Sequence, residues 1–192
     1  MGRNAKFNRW MDPNNFIYEF TYPEKIPKIE EIIPKAIRKN GESLLSTNRF
    51  MSILGIYSGP NGIKKFSENL LKLLYLPEEQ LEYQLNNLAG YISSYGTGGG
   101  LFRYLYSRFL SEAAELLQEK SLEELAGYYK NLGDKWEEIA GQLGEITSSQ
   151  SKVKKVEEIK KKVDEIISQE ISNALKLQNF YSEKEIKEQG LR

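Results

Sequence analysis

The sequence predicts a mainly α-helical protein, a helical bundle of about six helices with a short N-terminal β-strand or extended arm. Apolar residues recur every three or four positions over most of the chain, which is the repeat of a helix with one buried face. Glycine- and proline-containing stretches separate these segments at intervals typical of helices. A single stretch alternates with period two, at residues 16–22 near the N-terminus.

The first two predicted helices flank an irregular stretch. Ile29, Ile33 and Ile37 follow a helical spacing, and Asn40-Gly41 predicts the end of that helix. Glycine and proline are frequent in the next twenty residues, which we expect to form a partly buried loop. In chain order, the predicted helices cover 27–39, 62–75, 78–95, 99–119, 121–146 and 152–180.

The clearest helical pattern belongs to the fifth predicted helix. Ser121 and Glu124 have the spacing of a capping box, which predicts that the helix starts there. Its glycines each weaken a helix by up to about 1 kcal/mol relative to alanine. These glycines indicate either that neighbouring elements pack closely on the helix or that the helix breaks near Gly133. The apolar face comprises Leu122, Leu125, Tyr129, Leu132, Trp136, Ile139, Leu143 and Ile146.

The N-terminal stretch differs from the helical remainder. Residues 16–22 are β-branched and aromatic and end at Pro23, which favours a strand. A lone strand needs a pairing partner, so the alternative is an arm lying on the helices. We therefore expect an N-terminal arm or strand at 1–24, a helical domain at 25–180 and a C-terminal tail at 181–192.

Composition excludes several classes of function. Lys and Arg together number 27, as do Asp and Glu, so the absence of excess positive charge argues against nucleic-acid binding. No apolar run reaches the length of a membrane span, and no signal peptide is visible, so we expect a cytoplasmic protein with no membrane partner.

The chain contains no cysteine and no histidine. This excludes disulfides, Cys–His and Ser–His–Asp catalysis within the chain, and the usual ligands of zinc. The sequence predicts no catalytic residues, no cofactor and no metal site. Any chemistry of the chain alone would use carboxylates, Lys, Tyr or Arg, unless a partner or another domain supplies a nucleophile and a base.

The glycine-rich junction at residues 96–100 is the candidate ligand site. Thr97 is a suitable N-cap for the helix that follows, and free amides beside Arg103 could hold an anionic group. The stretch lacks the lysine and hydroxyl of a P-loop, and it follows a predicted helix rather than a strand. A tight helix–helix junction is the alternative, with Arg103 and Arg108 paired to Glu112 and Glu115 on the same or facing helices. The candidate ligand-binding residues are Thr97, Gly98, Gly99, Gly100, Arg103 and Tyr104.

Three stretches of the chain resemble a known family. Gly96-Thr97-Gly98-Gly99-Gly100-Leu101-Phe102-Arg103, continued by Leu105-Tyr106, Arg108-Phe109-Leu110 and Glu112-Ala113-Ala114, resembles the C-terminal helical domain of butirosin-H-like acyltransferases. Two shorter stretches, Gly62-Ile63-Lys64-Lys65-Phe66 and Trp136-x-x-Ile139-Ala140, are similar to the flanking parts of that domain. The resemblance spans about 130 residues, from 16 to 145.

The resemblance implies that catalysis belongs to a different domain. In that family a papain-like N-terminal domain carries a Cys nucleophile and a His base and transfers an acyl group from a carrier protein to an amine. The present chain has neither residue, so it departs from the catalytic pattern. The resemblance implies an accessory domain that shapes or regulates the substrate or carrier site. It would be a shortened form or a stand-alone relative, and a carrier protein or a papain-like domain in trans would be its partner.

A second hypothesis belongs to another class of protein. The apolar faces of residues 122–146 and 152–180 could pair across a two-fold axis. The chain would then be a self-associating helical scaffold or interaction protein with no small-molecule site. We therefore include a homo-oligomer among the expected states.

Overall fold

A computed structural model describes residues 26–47, 49–146, 151–181 and 185–187. It confirms the mainly α-helical fold, and no strand occurs within these ranges. The predicted strand at 16–22 and most of the predicted tail lie outside them. The α-helices are α1 (Ile29–Leu45), α2 (Arg49–Ile53), α3 (Gly59–Leu70), α4 (Glu78–Ser93), α5 (Arg103–Leu117), α6 (Lys120–Glu145) and α7 (Lys152–Gln178). Short 3₁₀ segments at Leu71–Tyr75 and Gly100–Phe102 follow α3 and precede α5.

Helix α6 is the centre of the bundle. It packs against α4, α5 and α7, while α1 and α3 pack on α7. All eight residues of its predicted apolar face are buried, and each such side chain contributes about 1.5–3 kcal/mol to folding. Val156, Ile159, Val163 and Ile166 of α7 close the same core. The α6 face and these four residues of α7 are therefore buried within the chain and are not free to form the two-fold contact of the second hypothesis, whereas Val153 and Leu175 of α7 are exposed.

Helix α1 extends beyond the predicted stop at Asn40-Gly41 and ends at Leu45. Gly41 is buried against α7, and a Cβ atom there would lie 2.7 Å from the carbonyl oxygen of Ala174. The glycine thus allows the two helices to approach closely and does not end the first one. The predicted loop that follows contains the short helix α2.

Helix α6 begins one residue earlier than predicted. Ser121 lies inside the first turn and not at the N-cap position, so the predicted capping box does not form. The helix then continues without a break through Gly133, which is buried. At Gly133 the glycine therefore allows a neighbouring element to pack closely on α6 and does not mark a break in the helix. None of the helices in the described ranges has the length and apolar character needed to cross a membrane.

Candidate functional site

The glycine-rich junction forms a left-handed turn between α4 and α5. Five successive residues from Gly98 to Phe102 have positive φ angles, of 65°, 83°, 53°, 51° and 68°. Glycine adopts this conformation freely, but an L-residue with a Cβ atom pays about 1–2 kcal/mol. Leu101 and Phe102 are therefore strained, and the surrounding structure must hold them in place.

Gly100 docks the turn onto the middle of α6. A Cβ atom on Gly100 would lie 2.7 Å from the Cα atom of Gly133, so the two backbones are in direct contact. The Gly100 amide also donates a hydrogen bond of 2.5 Å to Oε1 of Glu137, one turn further along α6. The tight helix–helix junction that we considered as the alternative thus accounts for Gly100.

Arg103 forms an internal ion pair with Glu170 of α7. Its Nε and Nη2 atoms lie 2.9 and 2.7 Å from Glu170 Oε1, and Nη1 donates to the carbonyl oxygen of Leu101 at 2.5 Å. The Glu170 side chain is only 3% exposed. The acidic partner of Arg103 is thus Glu170 and neither of the two residues considered from the sequence, Glu112 and Glu115. An anion at this turn would have to compete with a buried carboxylate for the guanidinium.

Thr97 stabilises the end of α4 rather than the start of α5. Its buried hydroxyl donates to the carbonyl oxygen of Ile92 at 3.0 Å. The N-cap position of α5 is occupied by Phe102, so the predicted N-cap role of Thr97 is wrong. The reason is the left-handed turn, which places five residues between Thr97 and Arg103, the first residue of α5.

Tyr104 packs across Gly133 of α6. A Cβ atom on Gly133 would lie 2.6 Å from the Tyr104 ring, so only glycine leaves room for it. The phenol donates to Oδ1 of Asp134 at 2.8 Å. Burial, together with this hydrogen bond to a carboxylate, raises the pKa of Tyr104 to about 12. The phenol therefore stays protonated at neutral pH.

Gly98 and Gly99 complete the predicted set of site residues. Gly98 is exposed, with no heavy atom within 4 Å of the position that its Cβ would occupy. A Cβ on Gly99 would lie 3.1 Å from Glu137 Oε1 and 3.3 Å from the Tyr104 ring. The structure thus brings Gly99, Gly100, Arg103 and Tyr104 together against α6 and α7, while Thr97 belongs to the end of α4.

An apolar groove of about 210 Å³ lies beside the turn, and the sequence reasoning missed it. It opens where three helices meet the turn, so no single periodic pattern marks it. Leu101 contributes one wall from the turn, and Trp136 contributes another from α6. The remaining walls include Ile63 and Phe66 of α3 and Leu88 and Tyr91 of α4.

Aromatic rings line this groove and lie at its rim. The Phe66 and Trp136 ring centroids are 6.2 Å apart, and the Tyr91 and Tyr95 rings meet edge to face at 5.3 Å. Tyr95 lies over Gly90, where a Cβ atom would be 2.5 Å from its ring. Trp136 is 2% exposed, and its indole nitrogen has no hydrogen-bond acceptor among the described residues.

The three stretches that carry the family resemblance meet at this groove. Residues 62–66 supply Gly62, Ile63 and Phe66, residues 96–106 supply Leu101, and residues 136–140 supply Trp136. These stretches are separated by tens of residues along the chain. The packed structure thus brings them together on one concave surface.

Two tyrosines meet in the bundle interior. The Tyr129 ring lies 4.8 Å from that of Tyr106, and burial raises the pKa of the Tyr129 phenol further above its ordinary value. A phenol with a raised pKa is a poor base at neutral pH. Within the described ranges, no group of three or more acidic side chains could hold a metal ion.

The fold and the junction define an all-helical domain organised around a strained glycine turn and a buried ion pair. The model of a domain of unknown function, DUF4872, matches residues 3–177, so the chain belongs to that family. No curated protein and no solved structure matches the chain.

Proposed function

We propose that this chain is a non-catalytic helical domain that shapes or regulates the substrate or carrier site of an acyltransferase of the butirosin-H-like type. The observation that supports this most is the meeting of residues 62–66, 96–106 and 136–140 at one groove. These are the stretches whose sequence resembles that family.

The chemistry of acyl transfer assigns the chain a binding role. Attack on a thioester requires a nucleophile such as a cysteine thiolate and a base such as histidine, and the chain contains neither residue type. A papain-like domain would supply both, and a carrier protein would deliver the acyl group. The helical domain would contribute a surface fixed in advance by the Gly100–Gly133 contact and the Arg103–Glu170 pair. A rigid surface binds with less loss of conformational entropy.

The proposal is tested by measuring the affinity of the chain for an acyl carrier protein that bears an acylated phosphopantetheine arm. Leu88→Phe would fill part of the groove, because Leu88 lines it. Leu117→Phe makes the same change at a half-buried position on α5, away from the groove. We expect saturable binding in calorimetry, weakened at least about tenfold by Leu88→Phe, equivalent to about 1.4 kcal/mol, and unchanged by Leu117→Phe.

The carrier protein without its prosthetic arm is the second control. Binding that requires the arm supports a substrate site, whereas equal binding of both forms places the contact elsewhere. Absence of binding at hundreds of micromolar would contradict the proposal. So would equal affinities for the wild-type chain and the groove-filling variant.

An exposed apolar segment favours self-association as a second candidate function. Ile53, Leu54 and Ile56 are 83%, 59% and 52% exposed, and Tyr57 next to them is also exposed. Contiguous apolar surface is typical of protein interfaces. Sedimentation should detect a dimer at tens of micromolar that Leu54→Asp disrupts, and a monomer at that concentration would contradict this candidate.

A further inference from the structure

We infer that the groove beside the glycine turn binds a single apolar ring, of the size of a phenyl group. This inference deepens the proposed function, because it names the chemistry of the group that the domain would hold. It rests on the dimensions and lining of the groove and on the way the turn keeps one wall in place. Toluene binding and carrier binding are measured separately, so failure of this inference can be distinguished from failure of the proposed function.

The volume of the groove suits one ring. A cavity of about 150 Å³ lined by Leu, Ile and Phe side chains is sufficient for benzene in a protein interior. The groove here has about 210 Å³ and is open to solvent. It can therefore take a ring together with a substituent that leads outward, whereas drug-sized ligands need pockets of about 300–1,000 Å³.

The lining favours an apolar and aromatic group. Ile63, Leu88 and Leu101 are aliphatic, and Phe66, Tyr91 and Trp136 present aromatic rings. No charged side chain among the described residues lines the groove. A ring bound here would gain edge-to-face or offset contacts with the accessible Phe66 and Tyr91 rings, whereas an anion or a sugar would lose its hydration without receiving a partner.

The strained turn keeps the groove from closing. Leu101 forms one wall while its backbone holds a left-handed conformation, with a φ angle of 51°. Contacts on both sides fix Leu101 in place. Gly100, which precedes it, lies against Gly133, and Arg103 donates a hydrogen bond to the Leu101 carbonyl oxygen. A relaxed backbone would not hold this wall in the same position. Strain that persists beside a concave surface is typical of ligand sites.

The test is an NMR titration of the full chain with toluene. The chain has two tryptophans, so Trp10→Phe leaves the Trp136 indole N–H as a single reporter signal. We expect this signal to shift with saturable dependence on toluene concentration. Leu88→Phe should weaken the affinity at least tenfold, and Leu117→Phe should leave it within twofold of wild type.

Leu88→Ala provides a second test that does not depend on the folding of the larger variant. It enlarges the groove, so the ratio of p-xylene to toluene affinity should rise several-fold. A Trp136 signal that does not move up to the solubility of toluene would overturn the inference, as would unchanged affinity in Leu88→Phe. Toluene binding without carrier binding would remove the proposed function alone, and carrier binding without toluene binding would remove this inference alone.

Discussion

Gly100 of the left-handed turn lies directly on Gly133 of α6, with no side chain between the two backbones. A Cβ on Gly100 would be 2.7 Å from the Gly133 Cα atom, and a Cβ on Gly133 would be 2.6 Å from the ring of Tyr104. This contact brings the turn close enough to α6 for Glu137 to accept from the Gly100 amide. The position of Leu101, and with it one wall of the groove, depends on the two glycines.

Gly133→Ala should destabilise the protein although alanine favours helices. The added methyl group overlaps the Tyr104 ring, and an overpacked site typically costs about 1–3 kcal/mol. Gly141→Ala is the matched control in the same helix, because nothing lies within 4 Å of its Cβ position. It should stabilise the helix by up to about 1 kcal/mol. Urea unfolding measures both, and equal effects of the two changes would contradict the close contact.

Arg103→Met should be strongly destabilising. It leaves the Glu170 carboxylate buried without its partner, and breaking such a pair typically costs about 3–5 kcal/mol. Replacing Glu170 with Met as well should recover much of that loss, because no unpaired charge then remains. Lys154→Met is the control. Lys154 lies 4.0 Å from Glu158 in an exposed pair, so its loss should change the unfolding free energy by less than about 0.5 kcal/mol. A small effect of Arg103→Met would show that the ion pair does not hold the turn.

Phe102→Gly should stabilise the protein. Phe102 has a φ angle of 68°, is half exposed and is not among the side chains packed against the core, so glycine removes strain at the cost of peripheral contacts only. We expect a gain of about 0.5–1 kcal/mol, reduced by the greater freedom of glycine in the unfolded chain. Gln118→Gly, at an exposed residue with a φ angle of 56° after α5, should give a similar gain. Thermal unfolding compares the two, and a loss of stability in Phe102→Gly alone would mean that its side chain contributes contacts that outweigh the strain.

Acid should remove part of the stability that Asp164 provides. Burial opposes its ionised form, but hydrogen bonds from Lys160 and Ser67 outweigh that effect and lower its pKa below 3.8. A carboxyl group with a lowered pKa stabilises the folded state above the unfolded pKa of 3.8, and this contribution is lost as the pH falls through the folded pKa. The free energy of unfolding of Asp164→Asn should therefore approach that of wild type as the pH falls below 3.8 and through the lowered folded-state pKa. A constant difference from pH 6 to pH 2 would contradict this assignment.

Much of the bundle could be predicted from periodicity alone. All eight residues of the α6 stripe from Leu122 to Ile146 are buried, and the positions of α3, α4, α5 and α7 follow the predicted segments. Helix ends were less predictable where tertiary contacts override local signals. Asn40-Gly41 predicts the end of a helix, yet α1 continues to Leu45 because Gly41 fits against α7.

The glycine-rich turn could be located from the sequence, but neither its geometry nor the groove beside it could. The glycine run marked the turn, and the resemblance marked residues 62–66 and 136–140. The partner of Arg103 lies 67 positions away on α7, beyond any local spacing rule. Thr97 has the residue type of an N-cap, but the left-handed turn after it directs its hydroxyl to the helix before. The groove is formed by residues from four elements, so only the packed structure defines it.

The most direct test of this account is an amide NMR map of the chain during titration with an acylated carrier protein. The account predicts that amides in residues 62–66, 96–106 and 136–140 shift together and follow one saturation curve, because they surround one groove. Shifts confined to other surfaces, or curves that differ among the three stretches, would contradict it.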